Sequence, residues 1–437
     1  MTKYFSPEYS VSVDLLQTGV FIRLEDRWFN HPFLFGNFKI KQQKQIDILK
    51  SLGITQVICV PEKSDRLPLS SRPAPATGQA EAAPAPAGPD PAQAALTEAM
   101  WQAKRERMER LKERRAVIQR TEERFNKSLV QVPNLMKNLM SGSEASVGQA
   151  EVVIGEIVET LLDDRDAALH LVNIRSKEES IYYHSLNVAV LALILGRQAR
   201  LDAPRMRSLG MGALFHDVGK HRIPKKVLKK ASPLTKSELA LIKLHPRYGT
   251  EIVGRCNDFP ADAAQVIADH HEALDGQGYP QGLKGGQINE LARITSIADV
   301  YDNLCNQPVA AKSLTPYQAL AYMYSERKGQ LDPELLMLFI RVLGVYPPGT
   351  IVGLNNQMVG LVIAVNPKNP LKPSLLLYDP DIPKHEALIL DLTDDPDLAI
   401  TESLHPSKLP REIYDYLSPR TRVTYFVEDN LRNPSQT

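Results

Sequence analysis

The sequence predicts a mainly α-helical protein, with a small α+β domain before the helices and a β-rich extension after them. The chain has 437 residues, which is too long for one hydrophobic core. Its middle part repeats apolar residues at helical spacing, whereas both ends carry short strand-like segments. A proline- and alanine-rich stretch separates the N-terminal part from the helices. These observations predict separate domains around an α-helical centre.

Residues 1–66 are predicted to form the small α+β domain. The segment VSVDLLQTGVFIRL alternates like a strand, IKQQKQIDILKSLG has helical spacing and ends at Gly53, and ITQVICV has the pattern of another strand. Residues 67–96 follow as a linker, because the seven prolines from Pro68 to Pro91 cannot build a core and favour extended chain.

The pattern of residues 97–150 predicts a long charged helix and a connector. Four apolar residues fall seven positions apart: Leu111, Ile118, Phe125 and Val132. This spacing is typical of a coiled coil and would support a homodimer. Arg115 and Glu122 occupy the complementary core positions, where apolar residues are needed. A helix that packs on its own domain is therefore the alternative interpretation.

Residues 151–345 are predicted to form an all-α bundle. The segments EVVIGEIVETLLDD, SLNVAVLALILGRQARL and YQALAYMYSE show the helical period most clearly. Residues 346–437 are predicted to be β-rich, because GTIVGL, MVGLVIAV, LLLY, ALILDL and VTYFV are strand-like and are separated by Pro, Asp and an Asn-Asn turn.

Composition argues against several classes of protein. The 52 basic and 51 acidic residues leave a net charge of +1, which favours neither a nucleic acid polymer nor an acidic membrane as the main partner. The three cysteines lack CxxC spacing, so a disulfide framework or a zinc–thiolate site is not predicted. The N-terminus lacks a signal peptide, and the longest apolar run is about half of a membrane span. We expect a cytoplasmic protein without a membrane span.

Histidine and aspartate residues recur along the helical part in a pattern that suits metal binding. The candidates, in chain order, are His184, His216, Asp217, His245, His270, His271 and Asp299. Imidazoles and carboxylates bind Fe, Mn, Ni or Zn, and a carboxylate between histidines can bridge two cations. Adjacent His-His and His-Asp pairs inside apolar helices have little rationale in packing. The pattern predicts a metal centre.

One segment carries a resemblance to a known family. The run HHEALDGQGYP, residues 270–280, looks like the HHExxDGxGYP signature of the HD-GYP subgroup of the HD superfamily of metal-dependent phosphohydrolases. The resemblance extends over about residues 152–345 and includes Gly219-Lys220 and His245-Pro246 with Gly249. Residues 9–62 also resemble the small domain of unknown function that often precedes such a bundle. The resemblance implies an HD-type helical bundle.

The resemblance further implies two divalent transition-metal ions. His184, His216, Asp217 and Asp299 would bind one ion, and His245, His270 and His271 would bind the other together with the bridging Asp217. Two such ions lower the pKa of a bridging water, so hydroxide is the expected attacker. The implied activity is that of a cyclic-guanylate-specific phosphodiesterase, which opens cyclic di-GMP to pGpG and onward to GMP.

Candidate catalytic residues are Asp217 and Lys220. Lys220 follows His216 by about one helical turn and is predicted to stabilise a phosphate oxygen or the leaving alkoxide, with a surface salt bridge as the alternative. The predicted substrate contacts are Lys220, Asp302, Lys312, Gly278, Tyr279 and Pro280. The Gly-Tyr-Pro segment has a second interpretation as a plain turn.

Two departures from the family pattern bear on function. Ser180 stands where members with a third metal have a glutamate, which favours two metals. After Asp302 the family commonly has an Arg-Pro-Tyr run, but here residues 303–309 read NLCNQPV, so the phosphate-binding arginine is missing and Lys312 is its candidate substitute.

The missing arginine keeps other functions open. One is a weakly active or non-catalytic cyclic di-GMP receptor that signals to a protein partner such as a diguanylate cyclase of the GGDEF type. The other is an HD phosphohydrolase that acts on another cyclic dinucleotide.

Overall fold

The computed structural model describes most of the chain in two compact units. The described residues are 8–25, 30–33, 36–69, 91–142, 145–163, 181–230, 232–307, 312–366, 368–380, 382, 384 and 387–417. The first unit is Met1–Arg114 with Pro380–Pro383, and the second is Arg115–Asp379 with Lys384–Thr437.

The first unit contains a four-stranded antiparallel sheet in the order β1-β4-β2-β3. Its elements are β1 (Tyr9–Ser12), β2 (Phe21–Arg23), β3 (Asn37–Lys39), α1 (Gln43–Ser51) and β4 (Gln56–Cys59). The segment predicted as one strand forms both β1 and β2, because a short 3-10 turn and Gly19, at φ +96°, reverse the chain between them. Strand β3 was not predicted. Ile22, Ile40 and Leu49 are among the residues buried under the sheet.

A long helix, α2 (Pro91–Met140), follows the proline-rich stretch. It begins within the predicted linker of residues 67–96 and six residues before the predicted start at Thr97, so that boundary was wrong. The physical reason lies in the sequence PAQAAL. Proline is favoured in the first turn of a helix, and alanine has the highest helix propensity.

The C-terminal part of α2 packs within the second unit. Its buried residues are Phe125, Val132, Leu135, Met136 and Leu139. They share one hydrophobic core with α3 (Ala145–Asp163). This packing agrees with the interpretation of a helix on its own domain. The side chains of Leu111, Arg115, Ile118 and Glu122 lie outside those that the structure describes, so the homodimer remains a prediction.

The bundle continues with short, closely connected helices. They are α4 (Ile181–Gln198), α5 (Ala203–Phe215), α6 (Lys225–Leu228), α7 (Lys236–Ile242), α8 (His245–Val253), α9 (Ala261–Asp269), α10 (Glu290–Cys305), α11 (Pro316–Glu326) and α12 (Pro333–Leu343). Side-chain caps define several starts; Asp202, for example, accepts a hydrogen bond from the backbone N–H of Arg205 at 2.9 Å.

Helix α4 lies at the centre of the bundle. It packs against α5 and α10, and α5 also packs against α9. Its segment from Leu186 to Leu195 is buried throughout, which explains why this helix is apolar on every side. Within the described part of the chain, no helix combines the length and the apolar character needed to cross a membrane.

The C-terminal part forms a five-stranded antiparallel sheet in the order β8-β7-β6-β5-β9. Its elements are β5 (Ile351–Leu354), β6 (Val359–Ala364), β7 (Ser374–Leu377), β8 (Ile389–Asp391), β9 (Ile400–Leu404) and the short helix α13 (Arg411–Leu417). The strands predicted from the first four β-like segments are confirmed. Strand β9 and α13 were not predicted, and the segment VTYFV lies outside the described residues.

Candidate metal centre

The predicted metal ligands converge from separate helices onto one interior cluster. They are His184 of α4, His216 and Asp217 at the end of α5, His245 at the start of α8, His270 and His271 just after α9, and Asp299 of α10. All seven are buried or partly buried. Their potential ligand atoms form two groups, His184–His216–Asp217 and Asp217–His245–His270–His271, each within a 4.8 Å span.

Asp217 belongs to both groups, and its two carboxylate oxygens face different histidines. Oδ1 lies 3.3 Å from Nε2 of His245. Oδ2 lies 3.5 Å from Nε2 of His216 and 3.7 Å from Nε2 of His184. Asp217 is 1% exposed, so solvent does not separate these groups. A carboxylate in this position has the geometry of a bridge between two cations.

Asp299 contacts histidines of both groups. Its Oδ1 lies 3.0 Å from Nε2 of His184 and 3.7 Å from Nε2 of His216, and its Oδ2 lies 3.8 Å from Nδ1 of His271. The side chain of Asn303, one turn further along α10, donates a hydrogen bond to the same Oδ1 at 2.7 Å. The carboxylate is thereby held in one orientation.

Backbone carbonyls orient three of the imidazoles. Nδ1 of His216, His245 and His270 lies 2.7, 2.8 and 3.0 Å from the carbonyl oxygen three residues earlier in each case. An Nδ1–H that donates to a carbonyl leaves the lone pair on Nε2, which is the arrangement of a metal-binding histidine. The Nε2 atoms of His245 and His270 then face each other at 3.1 Å. Two converging lone pairs repel each other unless a cation or a proton lies between or beside them.

The buried polar atoms fit a bound metal. Nε2 of His184, Nε2 of His216 and Oδ1 of Asp217 are buried without a hydrogen-bond partner of acceptable geometry among the described residues. Buried polar atoms normally have partners, so orphaned ones require an explanation. Divalent cations bound by the two groups would satisfy these atoms, and the nitrogen and oxygen donors are those that such ions accept.

The electrostatics of the cluster divide the histidines into two kinds. Burial lowers the pKa of His271 to about 3, and burial also lowers the pKa of His245 and His270, so these imidazoles are neutral. Burial opposes protonation of His184 as well, but its carboxylate partners Asp299 and Asp302 prevail and raise its pKa to about 10. A cation that binds beside His184 therefore displaces a proton.

Asp302 lies behind His184, away from the ligand atoms. Its Oδ2 accepts a hydrogen bond from Nδ1 of His184 at 2.7 Å, and its Oδ1 accepts from the side chains of Asn187 and Asn306 at 2.9 and 2.8 Å. Asp302 is 1% exposed. The carboxylate is fully occupied in orienting His184, which is a different position from the substrate contact that the sequence predicted.

Comparison with protein families agrees with this geometry. Residues 156–335 match the family model described as HD domain. This part of the chain is thus similar to HD domains. Residues 9–150 match a domain of unknown function, DUF3391, and residues 351–412 match a KOW domain associated with HD domain. The sequence had predicted only strands in this last region, without the KOW domain.

Several characterised proteins are similar to this chain. Cyclic di-GMP phosphodiesterase PA4108 of Pseudomonas aeruginosa is 29% identical over 372 residues, which cover 84% of each chain. Cyclic di-GMP phosphodiesterase response regulator RpfG of Xanthomonas campestris pv. campestris is 38% identical over 152 residues, 35% of this chain and 40% of that protein. The 3'3'-cGAMP-specific phosphodiesterase 3 of Vibrio cholerae is 32% identical over 165 residues, 38% of this chain and 35% of that protein.

Lys220 contacts the cluster directly. Its Nζ lies 2.5 Å from Oδ2 of Asp217. The sequence had placed Lys220 one helical turn after His216, but α5 ends at Phe215 and a 3-10 helix, Val218–Arg222, carries the lysine. A Cβ atom at Gly219 would lie 2.0 Å from the carbonyl oxygen of His245, so only glycine permits this turn to approach α8. Because glycine stands at position 219, Asp217 can lie close to His245.

Glu272 organises the loop that contains Gly278, Tyr279 and Pro280. Its carboxylate accepts hydrogen bonds from the backbone N–H groups of Gln281 at 2.6 Å, Gly282 at 3.2 Å and Leu283 at 2.9 Å. The ring of Tyr279 consequently lies against His271, with 4.7 Å between ring centroids. The loop therefore borders the second group of ligands.

Lys312, a predicted substrate contact, and His221, which follows Lys220 in the chain, lie at exposed positions. Lys312 is exposed, and no described contact joins it to the ligands. His221 is exposed and lies beside Tyr182, with 6.1 Å between ring centroids. Ser180, on which the preference for two metals over three rests, lies outside the described residues.

Sequence reasoning missed the residues that support the ligands. Asp302 accepts hydrogen bonds from Asn187 and Asn306, and Asp299 accepts one from Asn303. Helical spacing could have found two of them, because Asn303 and Asn306 stand four residues after the aspartate that each contacts. Glu272 is part of the family signature, but its hydrogen bonds to three backbone amides depend on the folded loop.

Proposed function

We propose that this protein is a metal-dependent phosphodiesterase that hydrolyses cyclic di-GMP to pGpG, with GMP as the further product. The family match over residues 156–335 supports a phosphohydrolase, and the relatives named as cyclic di-GMP phosphodiesterases support the substrate. Of these, PA4108 is similar over 84% of its length, so the resemblance extends well beyond the HD domain.

The position of Asp217 is the observation that carries this proposal. Its Oδ1 faces His245, and its Oδ2 faces His184 and His216. We assign two divalent ions to the centre, one held by His184, His216, Asp217 and Asp299, and the other by Asp217, His245, His270 and His271. Fe, Mn, Ni and Zn suit these nitrogen and oxygen donors.

Divalent ions in such a site supply an activated water molecule and polarise phosphoryl oxygens, so the protein itself needs no nucleophile. Asp217 keeps the two ligand groups together. Asp302 fixes the orientation of His184 through its 2.7 Å hydrogen bond. Lys220, which is 25% exposed in its side chain, can donate to a phosphate oxygen whose charge grows in the transition state.

Another cyclic dinucleotide is the second candidate substrate. One of the relatives is named as specific for 3'3'-cGAMP. The segment after Asp302 also lacks the arginine of the family, and its Asn303 and Asn306 side chains serve Asp299 and Asp302 instead. A receptor that binds cyclic di-GMP with little turnover, and that signals to a diguanylate cyclase, is the non-catalytic alternative.

One experiment tests these proposals together. The protein is loaded with Mn²⁺ or Fe²⁺, its metal content is measured by elemental analysis, and cyclic di-GMP and 3'3'-cGAMP are supplied separately, with the products followed by chromatography. We expect about two ions per chain and faster formation of pGpG than of any product from 3'3'-cGAMP. The reverse order of rates would favour the second substrate, and binding without products would favour the receptor.

A further inference from the structure

We propose that Lys243 is a phosphate-binding residue of this centre and takes the place of the arginine that the chain lacks after Asp302. The inference rests on the proposed function, because it assigns Lys243 to one phosphate of a cyclic dinucleotide. Neither the metal ligands nor the predicted substrate contacts included this residue.

Lys243 lies beside the second group of ligands. It follows α7 directly and precedes His245 by two residues. Its Nζ lies 5.0 Å from the ring centroid of Tyr279. The same ring lies 4.7 Å from the ring centroid of His271, tilted by 31°, and 6.3 Å from that of His245. A lysine and two candidate metal ligands thus lie around one tyrosine ring.

The contact with Tyr279 positions the ammonium group without neutralising it. An aromatic face attracts a cation through its quadrupole, but it carries no net charge. Lys243 is exposed, and no carboxylate of the described residues lies within ion-pair distance of it. By contrast, Nζ of Lys220 is 2.5 Å from Asp217. Lys243 therefore keeps its charge available for an incoming anion.

The surrounding segment is strongly basic. Residues 222–247 contain eight lysines and arginines and a single acidic residue, Glu238. The basic residues are Arg222, Lys225, Lys226, Lys229, Lys230, Lys236, Lys243 and Arg247. Three of them are in ion pairs, Lys230 with Glu238 and Arg222 and Arg247 with Glu251, and the remaining excess of positive charge attracts an anionic ligand. Lys243 is the member of this set that contacts the loop beside the ligands, whereas Lys312 is exposed and makes no described contact with them.

A cyclic dinucleotide carries two phosphodiester groups, and only one reacts at a time. Lys220 contacts the bridging carboxylate and so serves the reacting phosphate. Lys243, at the ring of Tyr279, serves the other. A contact to the phosphate that does not react stabilises the ground state and the transition state equally. Loss of this contact therefore raises KM and leaves kcat nearly unchanged.

The test compares Lys243→Ala and Lys243→Arg with Lys226→Ala and Lys312→Ala in the full-length, metal-loaded protein. Values of kcat and KM for cyclic di-GMP are measured at several salt concentrations. Lys226→Ala is the matched control, because it removes a charge from the same segment at an exposed position. Wild-type hydrolysis of bis(p-nitrophenyl) phosphate shows independently that the metal centre is active.

We expect Lys243→Ala to raise KM about tenfold or more, because a charge-assisted hydrogen bond is lost, and to change kcat about twofold or less. Its KM should depend less on salt, and Lys243→Arg should restore binding. Lys226→Ala should shift KM by less than about twofold.

Two results would overturn the inference. If Lys243→Ala leaves KM unchanged, or if Lys312→Ala raises KM instead, Lys243 does not hold the phosphate and the proposed function stands. If the wild type cleaves bis(p-nitrophenyl) phosphate but neither binds nor cleaves cyclic di-GMP, the proposed function is wrong and the role of Lys243 is refuted with it.

Discussion

Replacing Glu272 by glutamine should loosen the Gly-Tyr-Pro loop while the metal ligands stay in place. Glu272 is 4% exposed, and its carboxylate accepts three backbone hydrogen bonds, two at Oε1 from Gln281 and Gly282 and one at Oε2 from Leu283. In Glu272→Gln the amide oxygen can keep the first two bonds. The amide NH₂ group then faces the N–H of Leu283, so a donor meets a donor.

The expected loss in the local free energy of opening the loop follows from the number and kind of these hydrogen bonds. A hydrogen bond to a charged group contributes about 1.5–3 kcal/mol and a neutral one about 0.5–1.5 kcal/mol, so each retained bond loses about 1 kcal/mol. The third bond is lost and leaves a buried donor unsatisfied, which costs about 1–3 kcal/mol. The local free energy of opening should therefore fall by about 3–5 kcal/mol, an upper estimate because the loop can relax.

Hydrogen exchange is the direct assay. Amide exchange of residues 281–283 should become at least about a hundredfold faster, since 1.4 kcal/mol corresponds to a factor of ten. KM should rise because Tyr279 loses its support, whereas metal content should stay near that of the wild type. Glu326→Gln, at an exposed end of α11, is the control and should change neither property. Unchanged exchange at residues 281–283 would refute the role of Glu272.

Three further changes test the centre and its independence. Asp217→Asn should weaken the binding of both ions about a hundredfold or more, because a carboxylate at ~4 Å contributes about 4 kcal/mol per unit charge at an effective dielectric of ~20. Full metal content of the variant by elemental analysis would contradict the bridging role of Asp217. Lys220→Ala should lower kcat about a hundredfold while the metals stay bound, whereas Lys312→Ala should lower kcat far less. Comparable losses of kcat in the two variants would refute the role of Lys220. Removal of residues 1–114 should leave a helical, metal-binding protein by circular dichroism and elemental analysis, because the second unit contains its own core; an insoluble or metal-free fragment would contradict this.

The candidate metal ligands could be selected from the sequence because their chemistry is unusual where they stand. Adjacent His270-His271 and His216-Asp217 pairs have little packing rationale inside apolar helices, and the structure brings all seven predicted residues into one cluster. The α-helical class was equally accessible. Helix α4 is buried without interruption from Ser185 to Gly196, and most of this run, Val188 to Gly196, is visible in the sequence as apolar letters.

Some local predictions were wrong where short-range preferences competed. The linker was extended to residue 96 because prolines dominate it, but Pro91 is also a favourable first residue of a helix, and alanines follow it. The predicted single strand after Tyr9 was divided because Gly19 adopts a positive φ. Strand β9 was missed because ITESL is polar, and its pairing with β5 stabilises it from a distance.

The roles around the ligands depended on tertiary structure, because they join residues far apart in the chain. Asp302 was predicted to contact substrate, yet it hydrogen bonds to His184, 118 residues away. Lys243 gained its position only through Tyr279, which belongs to a loop that Glu272 holds in place. Residue type and spacing thus determined which side chains can bind metal. The packing of α4 against α10 decided which groups orient these side chains. The packing of the Gly-Tyr-Pro loop against α8 decided which lysine remains available for substrate. A sequence pattern could predict neither, because it carries no distances between helices.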